Sequence, residues 1–143
     1  MAWQRREWLA AAAALGASPW VLAQSGPTQG ISDSEILLGT HQDLTGPVQA
    51  LGSYLRDGMQ LAVDDINAAG GVPGFKKVVL EEGDSGDSST NTATQTVNRL
   101  LAKNVDVIIG AASSSVTLNV LDLVTSNGVL MISPANKIGR AHV

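Results

Sequence analysis

Cysteine is absent from this 143-residue chain. Its absence excludes disulfide bracing, thiol catalysis and cysteine-ligated zinc, so the fold must be held by its core. No segment supplies the about 20 consecutive apolar residues that a spanning helix needs. No basic run is present either: from Gln24 onward seven Lys or Arg stand against twelve Asp or Glu. An acidic chain of this kind excludes nucleic acid and anionic membrane as expected partners. Neither G-x-G-x-x-G nor G-x-x-x-x-G-K-[ST] occurs, which argues against dinucleotide and nucleoside triphosphate binding, and no cofactor is expected.

The two ends read as separate from the fold. Residues 1–23 combine a basic start (Arg5, Arg6), an apolar middle and small residues before Gln24. That is the pattern of an export signal, with cleavage expected between Ala23 and Gln24. Arg5-Arg6-Glu7-Trp8-Leu9 is similar to a twin-arginine motif, so export by either the general or the twin-arginine route fits. Residues 24–34, rich in Gly, Ser, Thr and Pro, read as a flexible leader. Residues 137–143 read as a non-native tail. Ile138-Gly139-Arg140-Ala141-His142-Val143 matches one frame of a sequencing-library adapter, so His142 is given no chemistry.

Between these ends, apolar runs alternate with helical stripes over residues 35–136, the N-terminal part of one lobe. Strands are expected at Glu35–Gln42, Lys77–Glu82, Val105–Gly110 and Val129–Ser133. In the first helical segment Leu55, Met59, Ala62, Val63 and Ile66 form one stripe, ended by Gly70-Gly71 and Pro73. A second helix is expected over about Ser89–Lys103, stopped at Asn104. A third begins in Ser113-Ser114-Ser115 and ends at Asn127-Gly128. The order β-α-β-α-β-α-β with short connections predicts an α/β fold, a doubly wound parallel sheet with right-handed crossovers.

Such sheets bind ligands at the carboxyl ends of their strands, where the strand order switches. Three turns should meet there: Asp43-Leu44-Thr45-Gly46-Pro47, the segment from Ala111 to Ser115, and Ser133-Pro134-Ala135. Ser113, Ser114 and Ser115 offer hydroxyls beside the unpaired N–H groups of a helix start, which suits a carboxylate. One of the three is expected to be the N-cap, leaving the others for a ligand. The Asp84–Asp87 turn is expected further out, its carboxylates capping a helix or facing water. Asp64 and Asp65 belong to a solvated helix face. His41 has no evident Ser-plus-acid companions and is expected to be a polar strand-end residue.

Ile36-Leu37-Leu38-Gly39 to Leu44-Thr45-Gly46-Pro47, followed by Gly58-Met59-Gln60-Leu61-Ala62-Val63-Asp64-Asp65-Ile66-Asn67-Ala68-Ala69-Gly70-Gly71, resembles the branched-chain amino-acid type of periplasmic solute-binding protein. So do Ile108-Ile109-Gly110 with its serines and Gly128-Val129-Leu130-Met131-Ile132-Ser133-Pro134-Ala135. The resemblance implies a type I periplasmic-binding-protein lobe, the first of two and incomplete here. It implies closure on an amino acid, urea, amide or similar solute, delivery to an inner-membrane ABC permease, and a periplasmic location. By the same resemblance, Ser114 with adjacent Ser113 would hold the solute's carboxylate, and the backbone at Ala135 would complete the contact. The aromatic of such binders falls at Leu51, a departure from the pattern. The disulfide of some members is missing, its positions falling near Ser85-Gly86 and Ser113.

The leading expectation is therefore a non-enzymatic, extracytoplasmic receptor for ABC import. A sensory ectodomain or regulator on the same fold is the alternative. An exported α/β enzyme is the weakest reading, because no His or Cys dyad is evident in the sequence.

Overall fold

A computed structural model of the protein describes residues 29–74, 77–86 and 91–136. The expected export signal with its cleavage point at Ala23 and Gln24, Asp87, and the expected non-native tail at 137–143 lie outside the described residues.

Four strands form one parallel sheet: β1 (Glu35–Gln42), β2 (Lys77–Asp84), β3 (Val107–Ile109) and β4 (Leu130–Ile132). Their order is β2-β1-β3-β4. β1 pairs with β2 along its whole length, from Glu35 opposite Lys77 to Gln42 opposite Asp84. On its other side Leu38–Thr40 pair with Val107–Ile109, which in turn pair with Leu130–Ile132. β3 and β4 are shorter than their apolar runs suggest. The bonding nevertheless continues past the strand ends, with the Gly110 N–H donating to the Ile132 carbonyl at 2.7 Å.

Three helices connect the strands: α1 (Gln49–Ala68), α2 (Thr92–Ala102) and α3 (Ser114–Ser126). The chain steps from β1 to β2 in one direction and from β2 through β3 to β4 in the other. Right-handed crossovers then put α1 on one face of the sheet and α2 and α3 on the opposite face. The core lies on the two-helix side. Ala93, Val97 and Leu100 of α2 and Val116, Val120 and Val124 of α3 pack on Val105, Ile108 and Val129.

The α1 side is less covered. Of the expected stripe, Val63 is buried, Leu55 and Met59 are half-buried, and Ala62 and Ile66 are exposed. The cause is geometric: among the described residues α1 alone covers its face, so only the positions directly over the sheet lose water.

Helix ends fall where the sequence places them. Gly70, Gly71, Asn104 and Gly128 all adopt positive φ, the left-handed conformation that stops a helix. Asn67 adds a brace, its side-chain amide donating to the Val78 carbonyl and accepting the Val78 N–H, both at 2.8 Å. The end of the leader is more ordered than expected. The Leu37 N–H donates to the Gly30 carbonyl at 2.7 Å, and Ile31 bridges antiparallel to Ile36.

Candidate functional site

A parallel sheet delivers all its carboxyl ends to one edge, and here β1, β2, β3 and β4 lead into turns that touch one another. Four consecutive polar residues, Thr40, His41 and Gln42 at the end of β1 and Asp43 just past it, have no exposed surface. Buried polar groups need partners, and each of these residues finds at least one across the strand ends, although His41 Nε2, Gln42 Oε1 and Asp43 Oδ1 have none. Thr40 Oγ1 donates to the Ile109 carbonyl at 3.0 Å. Gln42 Nε2 donates to Thr40 Oγ1 at 3.0 Å and to the Gly110 carbonyl at 2.8 Å. Gln42 thus ties β1 to the turn that starts the serine cluster.

Asp43 makes the next link. Its Oδ2 accepts the Ser113 N–H at 2.9 Å. Burial raises its pKa, against the lowering effect of the Ser113 and Ala112 N–H groups, and the Asp84 charge adds to the rise. Asp84 lies at this edge too, rather than further out. It accepts the Leu44 N–H at 3.0 Å, the Thr45 hydroxyl at 2.9 Å and the Gly86 N–H at 2.8 Å. Burial acts to raise its pKa, but those donors outweigh it and the net shift is downward. The Thr45-Gly46-Pro47 turn is thereby fastened to the end of β2.

His41 does have a serine companion: its Nδ1 lies 2.7 Å from Ser85 Oγ. The pair is not a nucleophile and base poised for a substrate. Ser85 is itself fully buried, and His41 Nε2 has no hydrogen-bond partner, so no acid orients the ring. Burial lowers the His41 pKa to about 4 and keeps the imidazole neutral. Since the folded value lies below the unfolded one of about 6.5, this contribution to stability is complete above pH 6.5 and is lost as pH falls toward 4. At pH 5 its loss amounts to about 2 kcal/mol. Urea unfolding at pH 7 and pH 5 should show that decline, and a His41→Gln variant should flatten it. An identical pH dependence in the variant would remove His41 as the cause.

The serines occupy the start of α3. Ser113 stands at the N-cap with an extended backbone (φ −88°, ψ 129°) but makes no side-chain capping bond. Its hydroxyl instead lies 2.9 Å from that of Ser115. Ser113 is half-buried, while Ser114 and Ser115 are exposed. Ser114 Oγ donates weakly to Asn136 Oδ1 at 3.4 Å. Asn136 Nδ2 donates to the Ala111 carbonyl at 3.2 Å and also to Thr117 Oγ1. Through Asn136 the turn holding exposed Ala135 is drawn against the serines. Leu51 is 47% exposed in the first turn of α1. Its neighbour Gly52 lies so close to β1 that a Cβ there would sit 2.2 Å from the Asp43 carbonyl oxygen.

The edge therefore presents hydroxyls, the N–H groups of a helix start and a small-residue turn, on a base of buried, mutually bonded polar side chains. Such an arrangement favours a negative or polar group without offering a reactive one. Among the described residues no cluster of His, Asp or Glu could hold a metal ion, and no helix is long and apolar enough to cross a membrane.

Residues 35–142 match the family profile described as periplasmic binding protein. The chain belongs to the periplasmic binding protein family. The Leu/Ile/Val-binding protein BraC3 of Rhizobium johnstonii is 36% identical over 104 residues, which is 73% of this chain and 28% of that protein. The structure of LivJ, a branched-chain amino acid transporter substrate-binding protein from Streptococcus pneumoniae in complex with isoleucine, has a TM-score of 0.67 and 32% identity, over 74% of this chain and 30% of that one. A periplasmic binding protein type 1 from Bordetella pertussis has a TM-score of 0.60 and 33% identity, over 68% and 26%. The chain thus spans less than a third of each of these relatives. Membership accounts for the α/β sheet of type I periplasmic binding proteins, and this is a family of substrate binders rather than enzymes.

The turn that begins at Asp43 was expected at this edge, but the bonding role of Asp43 was not, and Gln42, Asp84 and Asn136 were not placed there. The polar run directly after an apolar strand (Gln42-Asp43 in the first turn) is the signal that could have found Gln42 and that role of Asp43.

Proposed function

We propose that this chain contributes the first lobe of an extracytoplasmic solute receptor for an ABC importer. The solute is an amino acid of the branched-chain type or a related amide, captured between two lobes and passed to an inner-membrane permease. The observation that carries this reading is the row of hydroxyls from half-buried Ser113 to exposed Ser114 and Ser115, at a helix start beside Ala135 and at the carboxyl ends of adjacent parallel strands. The likeness to Leu/Ile/Val-binding proteins supports the choice of solute. Ser114 and Ser113 would take the carboxylate, with Ser115 and the Ala135 backbone beside them and Leu51 bordering the side-chain end.

Calorimetric titration of the complete gene product with L-leucine, L-isoleucine, L-valine and small amides tests the proposal. Binding of one of them with turnover of none is the expected result. Ser114→Ala should then cost about 1–3 kcal/mol, the loss of one hydrogen bond to a charged group, or about 5- to 150-fold in Kd. Unchanged affinity would remove Ser114 from the site.

A further inference from the structure

A serine at the N-cap ordinarily turns its hydroxyl inward to accept an N–H of the first helical turn, which consumes that hydroxyl. Ser113 has the backbone geometry for this and does not do it. The start of α3 is held instead from across the sheet edge, because Asp43 Oδ2 accepts the Ser113 N–H at 2.9 Å. An acid bonding the N-cap N–H is the second half of a capping box, normally supplied from within the same helix. Here it comes from 70 residues earlier in the chain. The negative charge also suits the positive end of the helix. Asp43 Oδ1 is buried and has no hydrogen-bond partner, so the carboxylate is directed at the backbone that leads into α3.

We propose that Asp43 is a positioning residue: it anchors the start of α3 from the end of β1 and thereby leaves the Ser113 hydroxyl, beside those of Ser114 and Ser115, uncommitted to capping and available to a solute. Gly52 extends the linkage, since the first turn of α1 rests on the Asp43 backbone. One residue thus sets the relative placement of the two helix starts that border the site.

The anchoring itself is independent of the solute, whereas its effect on affinity rests on the function proposed above. The test uses the complete gene product with Asp43→Ala, Asp43→Asn, Ser113→Ala and the Asp43→Ala/Ser113→Ala pair. With no solute present, Ser113→Ala should leave Tm within about 1 °C of the parent. In the Asp43→Ala background it should lower Tm by about 2 °C or more, because the hydroxyl has turned inward to cap. Equal effects in the two backgrounds overturn the proposal, whether or not any solute binds.

With L-leucine as the probe, Asp43→Ala should raise Kd about tenfold or more. Asp43→Asn should stay within about threefold, because its amide oxygen can still accept the Ser113 N–H. Leucine binding by Asp43→Ala at the parental level also overturns the proposal. Should Asp43→Ala not fold, the parent protein decides. Its Ser113 amide proton resonance should move as the Asp43 carboxyl titrates, and a resonance indifferent to that titration overturns the anchoring.

Discussion

Gly52→Ala should destabilise the protein by about 3 kcal/mol or more and weaken solute binding in the molecules that still fold. Alanine is ordinarily the better helix residue by about 1 kcal/mol, so on propensity alone this substitution in α1 would stabilise. The local packing reverses that sign. The new methyl would lie 2.2 Å from the Asp43 carbonyl oxygen, 2.7 Å from its carbon and 3.0 Å from its nitrogen. All three are backbone atoms, so no side-chain rotation can make room. α1 would have to lift from the end of β1, and Leu51 would move with it. Gly58 is the internal control: it lies in the same helix with nothing within 4 Å of its position for a Cβ. Gly58→Ala should raise stability by up to about 1 kcal/mol. Urea unfolding of the two variants distinguishes the effects, and equal stability changes would mean that α1 does not rest on Asp43.

Leu100→Ala should cost about 2–5 kcal/mol while leaving the affinity of the folded protein unchanged. Leu100 is 1% exposed, at the centre of the cluster that α2 and α3 form on the sheet. Its Cδ1 lies 3.4 Å from where a Cβ on Gly39 would be, so it packs directly on the middle of β1. Truncation leaves a hole that Val97, Val105 and Ile108 fill only in part, since each is already fully enclosed. The site is formed by the strand ends, whereas Leu100 supports their middles. A rise in Kd for the folded variant, parallel to the fall in stability, would contradict that separation. Together with Gly52→Ala, this substitution distinguishes damage to the scaffold from damage to the edge.

The strands and helices were legible because their signals are local. Apolar runs gave the four strands, and Gly70-Gly71, Asn104 and Gly128 gave the helix ends because they adopt the left-handed conformation at lower cost than other residues. The strand order was legible in outline, with β1 and β3 adjacent at the switch. The serine cluster was found for the same reason: it follows an apolar strand directly.

What escaped were bonds between residues far apart in sequence. Asp84 looked like a turn residue facing water, and only the pairing of β1 with β2 brings it to Leu44 and Thr45. His41 looked solitary, although Ser85 lies beside it once the same two strands align. Burial of the run from Thr40 to Asp43 was equally hidden, because polarity predicts exposure unless neighbouring strand ends supply the partners. The α1 stripe erred the other way: periodicity marks which side of a helix is apolar, not how much of that side meets another element.

The serines at the mouth of β3 stand on a ground of fully enclosed side chains bonded from strand to strand. The entropy of arranging that ground is spent when the chain folds, not when a molecule arrives. A solute bound as proposed above would meet groups already aimed, would displace water, and would have little local rearrangement to drive. On that proposal, recognition by this lobe would be closer to docking on a fixed template than to shaping a loop around a guest.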